Sequence, residues 1–284
     1  MRKKLTIFTI LLLMALLLAF GCSSKESSVG GKNSEGQVTE AQGDDSLEKI
    51  KEKGKFVVGL DDGFPPMGFR DEDGNIVGFE IDLAKEAAKR MGVEVEFKPI
   101  DWAGKVLSLN SGEIDVIWNG LTVTPEREKE ILFSKPYIDN NQVIIVAEDS
   151  AIENKADLKG KVVASQAGSS GYDTVTADAE VMDMIKGGEV KQYGQYTQAL
   201  MDLSAGRVDA VVIDETVGRY YMTQKPGEYR MLEDNFGTEE YSIGFKMEDK
   251  AFKDEIDRIL AEIIEDGTAV KISKEWFGED ILAR

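Results

Sequence analysis

Apolar residues recur along most of the chain with two alternating periods. "SLEKIKEKG" (46–54) reads as a short helix ended by Gly54. "KFVVGL" (55–60) is an unbroken apolar run, the pattern of a buried strand. In "FEIDLAKEAAKRMG" (79–92), Phe79, Leu83, Ala84, Ala87, Ala88 and Met91 fall on one helical face, and Gly92 follows as the stop. "VEVEFK" (93–98) then alternates Val93, Val95 and Phe97, pointing inward, with Glu94, Glu96 and Lys98, pointing outward. This alternation of strands and helices predicts βαβ units and a largely parallel sheet, hence an α/β fold.

The first 45 residues break the pattern. "MRKK" is a positive segment, and "LTIFTILLLMALLLAF" is an apolar run shorter than the about 20 residues a bilayer span needs. It ends at Gly21 and Cys22, the only cysteine, so residues 1–21 read as a secretory signal. A cysteine directly after such a run resembles a bacterial lipobox, although Leu18 stands one place further back than that motif prefers. Cys22 is therefore the expected lipidation site. Residues 22–45 are rich in Ser, Gly, Lys and Glu and read as a flexible tether. Roughly 240 residues remain, enough for one large or two modest α/β domains.

Composition narrows the chemistry. A net charge of −19 leaves no basic stripe to neutralise phosphates, which argues against a nucleic-acid partner. There are no histidines, which removes the commonest general base, the Ser-His and Cys-His nucleophile systems and most zinc sites. No metal or cofactor is expected. With Cys22 lipidated, no disulfide is available and the exported fold stands on its core alone. "RDEDGN" (70–75) places acids at several ligand positions of a calcium-binding EF-hand loop. It lacks the required glycine at the sixth position, where Ile76 stands, and is read as a polar hairpin turn between "PMGF" and "IVGF".

The chain contains an internal echo. "LNSGEIDVIWNG" (109–120) and "LSAGRVDAVVID" (203–214) align without gaps, pairing Leu109 with Leu203, Gly112 with Gly206 and Asp115 with Asp209. Each reads as a helix end, a glycine turn and an apolar strand, which suggests two similar lobes. Ligands of open α/β sheets sit at the carboxyl ends of strands. Asn119–Gly120 and Asp214 occupy equivalent ends, one in each lobe.

"GFEIDLAKEAAKRMG", "DWAGKVLSLNSGEIDVIWNGLTVTPEREKEILFSKPY", "LKGKVVASQAGSSG", "GRVDAVVID" and "DGTAVKISKEWFG" resemble, in order and spacing, the polar amino-acid family of ABC-transporter solute-binding proteins. The resemblance covers nearly all of 46–284. It implies the two-lobe, type II periplasmic-binding-protein-like α/β fold, with two crossover segments and a ligand cleft between the lobes. Lobe 1 would be 46–139 plus 237–284 and lobe 2 would be 140–236, with crossovers near "PYIDN" and "FGTEEY". It further implies a monomeric receptor for an amino acid, delivering to ABC permease subunits from the outer face of the cytoplasmic membrane.

Free amino acids are zwitterions, so such a cleft must meet a carboxylate, an ammonium and a side chain. Arg127 suits the carboxylate because its planar fork grips it bidentately. Thr124-Pro125 would cap and start a helix presenting it. Gly120 and Thr122 would add close backbone approach and a hydroxyl. "AGSSG" (167–171) precedes a helix at Tyr172, so Ser169 and Ser170 offer N–H groups and hydroxyls. Asp214 would take the ammonium, against the alternative of a cap for "ETVGRYY". By the family pattern Asp61 meets the ligand side chain, Phe64 and Trp102 wall the pocket, Gln166 faces the cleft and Asn119 shapes it. Asp62 competes with Asp61 for the inward role, and Trp118 reads as core. An acid with aromatic faces favours arginine or lysine, while Gln166 keeps polar neutral ligands open. Two other functions share these features: a dehydratase-type enzyme on the same fold, and an amino-acid-sensing lipoprotein without transport.

Overall fold

The computed structural model describes residues 43–283. The expected signal segment 1–21, the expected lipidation site Cys22 and the part of the expected tether up to residue 42 lie outside the described residues. In chain order the first strands are β1 (Lys55–Leu60), β2 (Gly63–Phe64), β3 (Gly68–Arg70), β4 (Ile76–Val77), β5 (Glu94–Pro99), β6 (Val116–Ile117) and β7 (Leu132–Phe133). Then follow β8 (Ile138–Ala147), β9 (Val163–Gln166), β10 (Lys191–Tyr193), β11 (Ala210–Asp214), β12 (Tyr229–Tyr241) and β13 (Gly244–Phe245). The helices are α1 (Ser46–Lys53), α2 (Phe79–Met91), α3 (Lys105–Asn110), α4 (Ser170–Ala177), α5 (Ala179–Met184), α6 (Tyr196–Ser204), α7 (Glu215–Gln224), α8 (Lys250–Glu265) and α9 (Thr268–Phe277).

Local expectations hold where the sequence period is strong. Gly54 ends α1 at φ 71°, and its N–H returns to the carbonyls of Ile50 and Lys51. All six apolar residues expected on the inner face of α2 are buried, and Gly92 ends it at φ 77°. β5 is covered less completely than its alternation suggests. Val95 and Phe97 are only half-buried, because β5 is an edge strand with β1 as its one neighbour.

Two five-stranded sheets carry the two lobes, ordered β5-β1-β6-β13-β7 and β10-β9-β11-β8-β12. Both follow the same plan. Three parallel strands come first, and the fourth runs antiparallel to both of its neighbours. That fourth strand is the first laid down after the chain passes between sheets, β8 on the way over and β13 on the return. Each sheet is therefore largely parallel with one reversed strand. A third, small sheet β2-β3-β4 contains the expected hairpin. In its turn Asp71 Oδ1 accepts the N–H groups of Asp73 and Asn75, and among the described residues no group of acids forms a metal cluster.

The sequence echo is a structural one. Asp115 accepts the Val57 N–H at 2.7 Å while its own N–H donates to the Val57 carbonyl. Asp209 does the same with Val162, again at 2.7 Å. Each acid thus pins the third parallel strand of its sheet to the middle one, β6 to β1 and β11 to β9. Gly112 and Gly206, at φ 78° and 66°, make the turn that delivers it. Asp115→Ala or Asp209→Ala leaves a strand N–H without its partner. Each is expected to cost about 1–3 kcal/mol, read from the urea midpoint.

Candidate functional site

The eleven residues expected at the site are all buried and lie where the carboxyl ends of the two sheets meet. Asp61 follows β1, Asn119 to Thr122 follow β6, Gln166 closes β9, Ser170 opens α4 and Asp214 closes β11. The lobes touch directly across this junction. Thr122 Oγ1 lies 3.0 Å from Ser170 Oγ, Gln166 Nε2 donates to Asp61 Oδ2 at 2.6 Å, and Arg127 Nη2 donates to the Gly168 carbonyl at 3.1 Å.

Arg127 is only 7% exposed, yet no carboxylate holds it closely. Nη1 donates to the Thr122 carbonyl at 2.8 Å, and the Asp173 carboxylate lies 4.0 Å from Nη2. Burial lowers its pKa from the ordinary guanidinium value. Thr124 Oγ1 accepts the Arg127 N–H at 3.2 Å, as a capping residue does. The element it caps is shorter than expected, a single 3₁₀ turn at Arg127–Lys129 rather than a helix. Ile131 is buried and the chain enters β7 directly, which leaves no length for a second turn.

Of the two neighbouring acids, Asp61 is the inward one. Asp61 is 3% exposed and is held from the other lobe by Gln166 and by Gln195, whose Nε2 donates to Oδ1 at 2.9 Å. Burial raises its pKa. Asp62 is less buried: it pairs with Arg70 at 2.6 Å and also accepts Gln195 Nε2 at 3.2 Å. Asn119 Oδ1 accepts the Asp61 N–H at 3.1 Å and so joins the ends of β1 and β6. A Cβ on Gly120, where φ is 56°, would stand 2.5 Å from the Phe64 ring, so the close approach requires glycine. Trp118 is fully buried against Tyr137, as core. α4 starts at Ser170, two residues before the expected Tyr172. Ser169 is its cap: its Oγ accepts the Tyr172 N–H and donates to the Gln166 carbonyl. Asp214 precedes α7 without capping it.

Several residues of this junction escape sequence reasoning. Lys105 is buried under Trp102, with Nζ 4.9 Å from the ring centroid, and donates to the Gly168 carbonyl at 2.8 Å. Burial and the nearby Arg127 bring its pKa down to about 7. β8 contributes Asn140 and Gln142, and the register explains how. Gln142 stands opposite Asp214 on β11, and Asn140 stands opposite Glu239 on β12. Asp214 Oδ1 accepts Asn140 Nδ2 at 2.9 Å, Gln142 Nε2 at 2.9 Å and Tyr241 Oη at 2.6 Å. Burial first, and then the Glu239 carboxyl beside it, push the Asp214 pKa well up. A signal existed in "IDNNQ", where polar residues occupy the inward positions of an otherwise apolar strand.

Glu80, in the first turn of α2, is 1% exposed and accepts the Gly120 N–H on both oxygens, at 3.1 and 2.9 Å. The Tyr137 hydroxyl donates to it as well. Burial pushes its pKa from 4.5 to about 7. Between those values the unfolded chain ionises while the folded one keeps its proton, so stability falls as pH rises. The loss is about 3 kcal/mol from this group. Glu80→Gln keeps the acceptor and removes the charge. Its urea-derived stability is expected to be less sensitive to pH than the wild type's between pH 4.5 and 7, by about that amount.

Two similar lobes, strand ends facing each other and a buried polar junction are the features of a ligand cleft. The family profile described as bacterial extracellular solute-binding proteins, family 3, matches residues 56–279. The chain belongs to this family. Among its relatives, the L-cystine-binding protein TcyJ of Escherichia coli (strain K12) is 31% identical over 237 residues, covering 83% of this chain and 87% of that one. A glutamine-binding protein of Geobacillus stearothermophilus is 33% identical over 261 residues, covering 88% and 97%. In structure the solute-binding fold is similar to an ABC uptake transporter substrate-binding protein of Streptococcus pneumoniae with bound histidine. The TM-score is 0.82 at 35% identity, over 85% of this chain and 99% of that one. These relatives are named for binding, which gives the dehydratase alternative no support.

Proposed function

We propose that the protein is the extracytoplasmic amino-acid receptor of an ABC importer, clamping a polar or basic L-amino acid by hinge closure of the two lobes. The observation that carries this is the direct engagement of Arg127, Thr122 and Asp61 from one lobe with Gly168, Ser170, Gln166 and Gln195 from the other. A ligand that satisfies groups on both lobes stabilises the joined state, and hinge closure is a known class of transition. Arg127 takes the α-carboxylate, aided by backbone N–H groups at the start of α4 and by the close approach at Gly120. Asp214 takes the α-ammonium. Asp61, Phe64, Trp102, Asn119 and Gln166 meet the side chain, and Ser169 acts through its cap. Asp61 with two glutamine amides offers both acceptors and donors, which suits a polar side chain. Lys105 already covers Trp102, so that ring's cation–π capacity is partly taken by the protein's own ammonium. This leaves polar neutral ligands, such as the cystine and glutamine for which relatives are named, as well supported as a basic one.

We place the lobe boundary at 46–139 plus 237–284 against 140–236, in the long paired strands β8 and β12 that join the sheets. The apolar run before Cys22 supports export and lipid attachment at the outer face of the cytoplasmic membrane, with the receptor acting as a monomer on its permease. No helix among the described residues is long and apolar enough to cross a membrane. Thermal-shift screening of residues 43–284 with the proteinogenic amino acids and L-cystine tests the reading. A ligand at 100-fold its Kd adds about 2.7 kcal/mol of stability. A flat response to every amino acid would rule the reading out.

A further inference from the structure

A second acid sits beside Asp214. Glu239, on the returning strand β12, is half-buried, and its Oε1 accepts Thr122 Oγ1 at 2.8 Å, Ser170 Oγ at 3.1 Å, Asn140 Nδ2 at 2.8 Å and Gln142 Nε2 at 2.7 Å. Those same two amide nitrogens donate to Asp214 Oδ1. The two carboxyls therefore share their donors and occupy one small volume at the cleft floor.

Every group in contact with the pair is neutral. The charged or titratable groups facing it are Arg127 and Asp173 from one side, and Tyr196 of α6 and Tyr241 of β12 from the other. The Arg127 guanidinium is engaged by the carbonyls of Thr122 and Gly168, not by either acid. Two like charges this close repel each other, which favours one proton or one cation accompanying the pair. Glu239 also meets two hydroxyls. Thr122 Oγ1 and Ser170 Oγ both lie within hydrogen-bond distance of Oε1 and lie 3.0 Å from each other, so Glu239 and the two hydroxyls form one polar cluster.

We propose that Glu239 is a second acidic residue of the ammonium end, forming with Asp214 a carboxyl pair that holds one proton until the ligand ammonium displaces it. The proton leaves to solvent as the α-NH₃⁺ group enters, so the charge of the pair is balanced before and after. Selectivity follows: the site discriminates against ligands without an α-ammonium more strongly than one acid would. The inference rests on the amino-acid reading for its ligand, while the proton-sharing pair is a property of the protein alone.

Two measurements on residues 43–284 test it, with E239Q, which keeps an acceptor for all four donors. In the first, side-chain carboxyl ¹³C NMR follows Asp214 without ligand. Removing the neighbouring charge is expected to lower its titration midpoint by about one pH unit or more. An unchanged midpoint overturns the shared proton. In the second, calorimetry with L-glutamine, L-arginine, L-histidine and L-cystine is run at one pH in buffers of different ionisation enthalpy. The wild type is expected to release close to one proton per ligand bound. E239Q is expected to release less and to bind about tenfold or more weakly. Equal proton release, or tighter binding by E239Q because Glu239 competes with the ligand carboxylate, overturns the assignment. If none of the four binds the wild type, the amino-acid reading and the ammonium role fall together, while the NMR result still decides the pair.

Discussion

Arg127→Ala is expected to weaken amino-acid binding by about 100-fold or more, corresponding to a loss of about 3–5 kcal/mol when one partner of a buried charge pair is removed. The guanidinium is buried and its two N–H contacts go to carbonyls, which leaves its charge for an anion that both lobes enclose. Because those carbonyl contacts are its closest bonds in the protein, the ligand-free fold should change by no more than about 1 kcal/mol. Arg127→Lys keeps a charge but loses the planar fork, and should fall between, at about tenfold. Calorimetry on the amino acid that gives the largest thermal shift checks all three values. Undiminished binding by Arg127→Ala would remove Arg127 from the site.

The second large effect is steric and concerns Gly168. Its φ is +70°, and a Cβ there would stand 2.8 Å from the Ala103 Cα of the opposite lobe. Gly168→Ala thus introduces two separable costs. The left-handed backbone costs about 1–2 kcal/mol in any state of the protein. The clash with Ala103 backbone arises only when the lobes meet. Binding is therefore expected to drop by about 100-fold or more, and ligand-induced compaction in small-angle scattering should disappear. Gly160→Ala is the control, since Gly160 has φ +72° with nothing within 4 Å of its Cβ position. It should lose similar stability and bind normally. Equal binding by the two variants would show that Gly168 is not a point of lobe contact during capture.

Which features were legible in the sequence follows from their range along the chain. α1 and α2, with their closing glycines, depend on residues within a few turns and were readable at once. The repeat of Asp115 and Asp209 was visible as spelling, although the bond each makes to a strand N–H was not. That Asn119, Gly120 and Asp214 stand at strand ends facing one junction was readable because α/β topology brings those ends together, whereas Asp61 and Gln166 entered through the family resemblance. Glu239, Asn140 and Gln142 were not readable, because their meeting with Asp214 depends on the register of β8 with two strands distant in sequence. Glu80 was not legible either, because only the packing of α2 brings it against the Gly120 N–H. Lys105 is enclosed by Trp102 and by Gly168 from far along the chain, which local sequence does not show. The brevity of the turn at Arg127 was set by Ile131 and β7 and lay outside what Thr124-Pro125 could show.

The central claim is that the cleft reads a zwitterion at both ends. It is tested most directly by calorimetry on residues 43–284 with the best-binding amino acid, its des-amino acid and its decarboxylated amine. One amino acid per protein is expected to bind, and each truncated analogue is expected to bind at least about 100-fold more weakly, since each leaves Arg127 or the Asp214 end unmatched. Either analogue binding as tightly as the amino acid would contradict it.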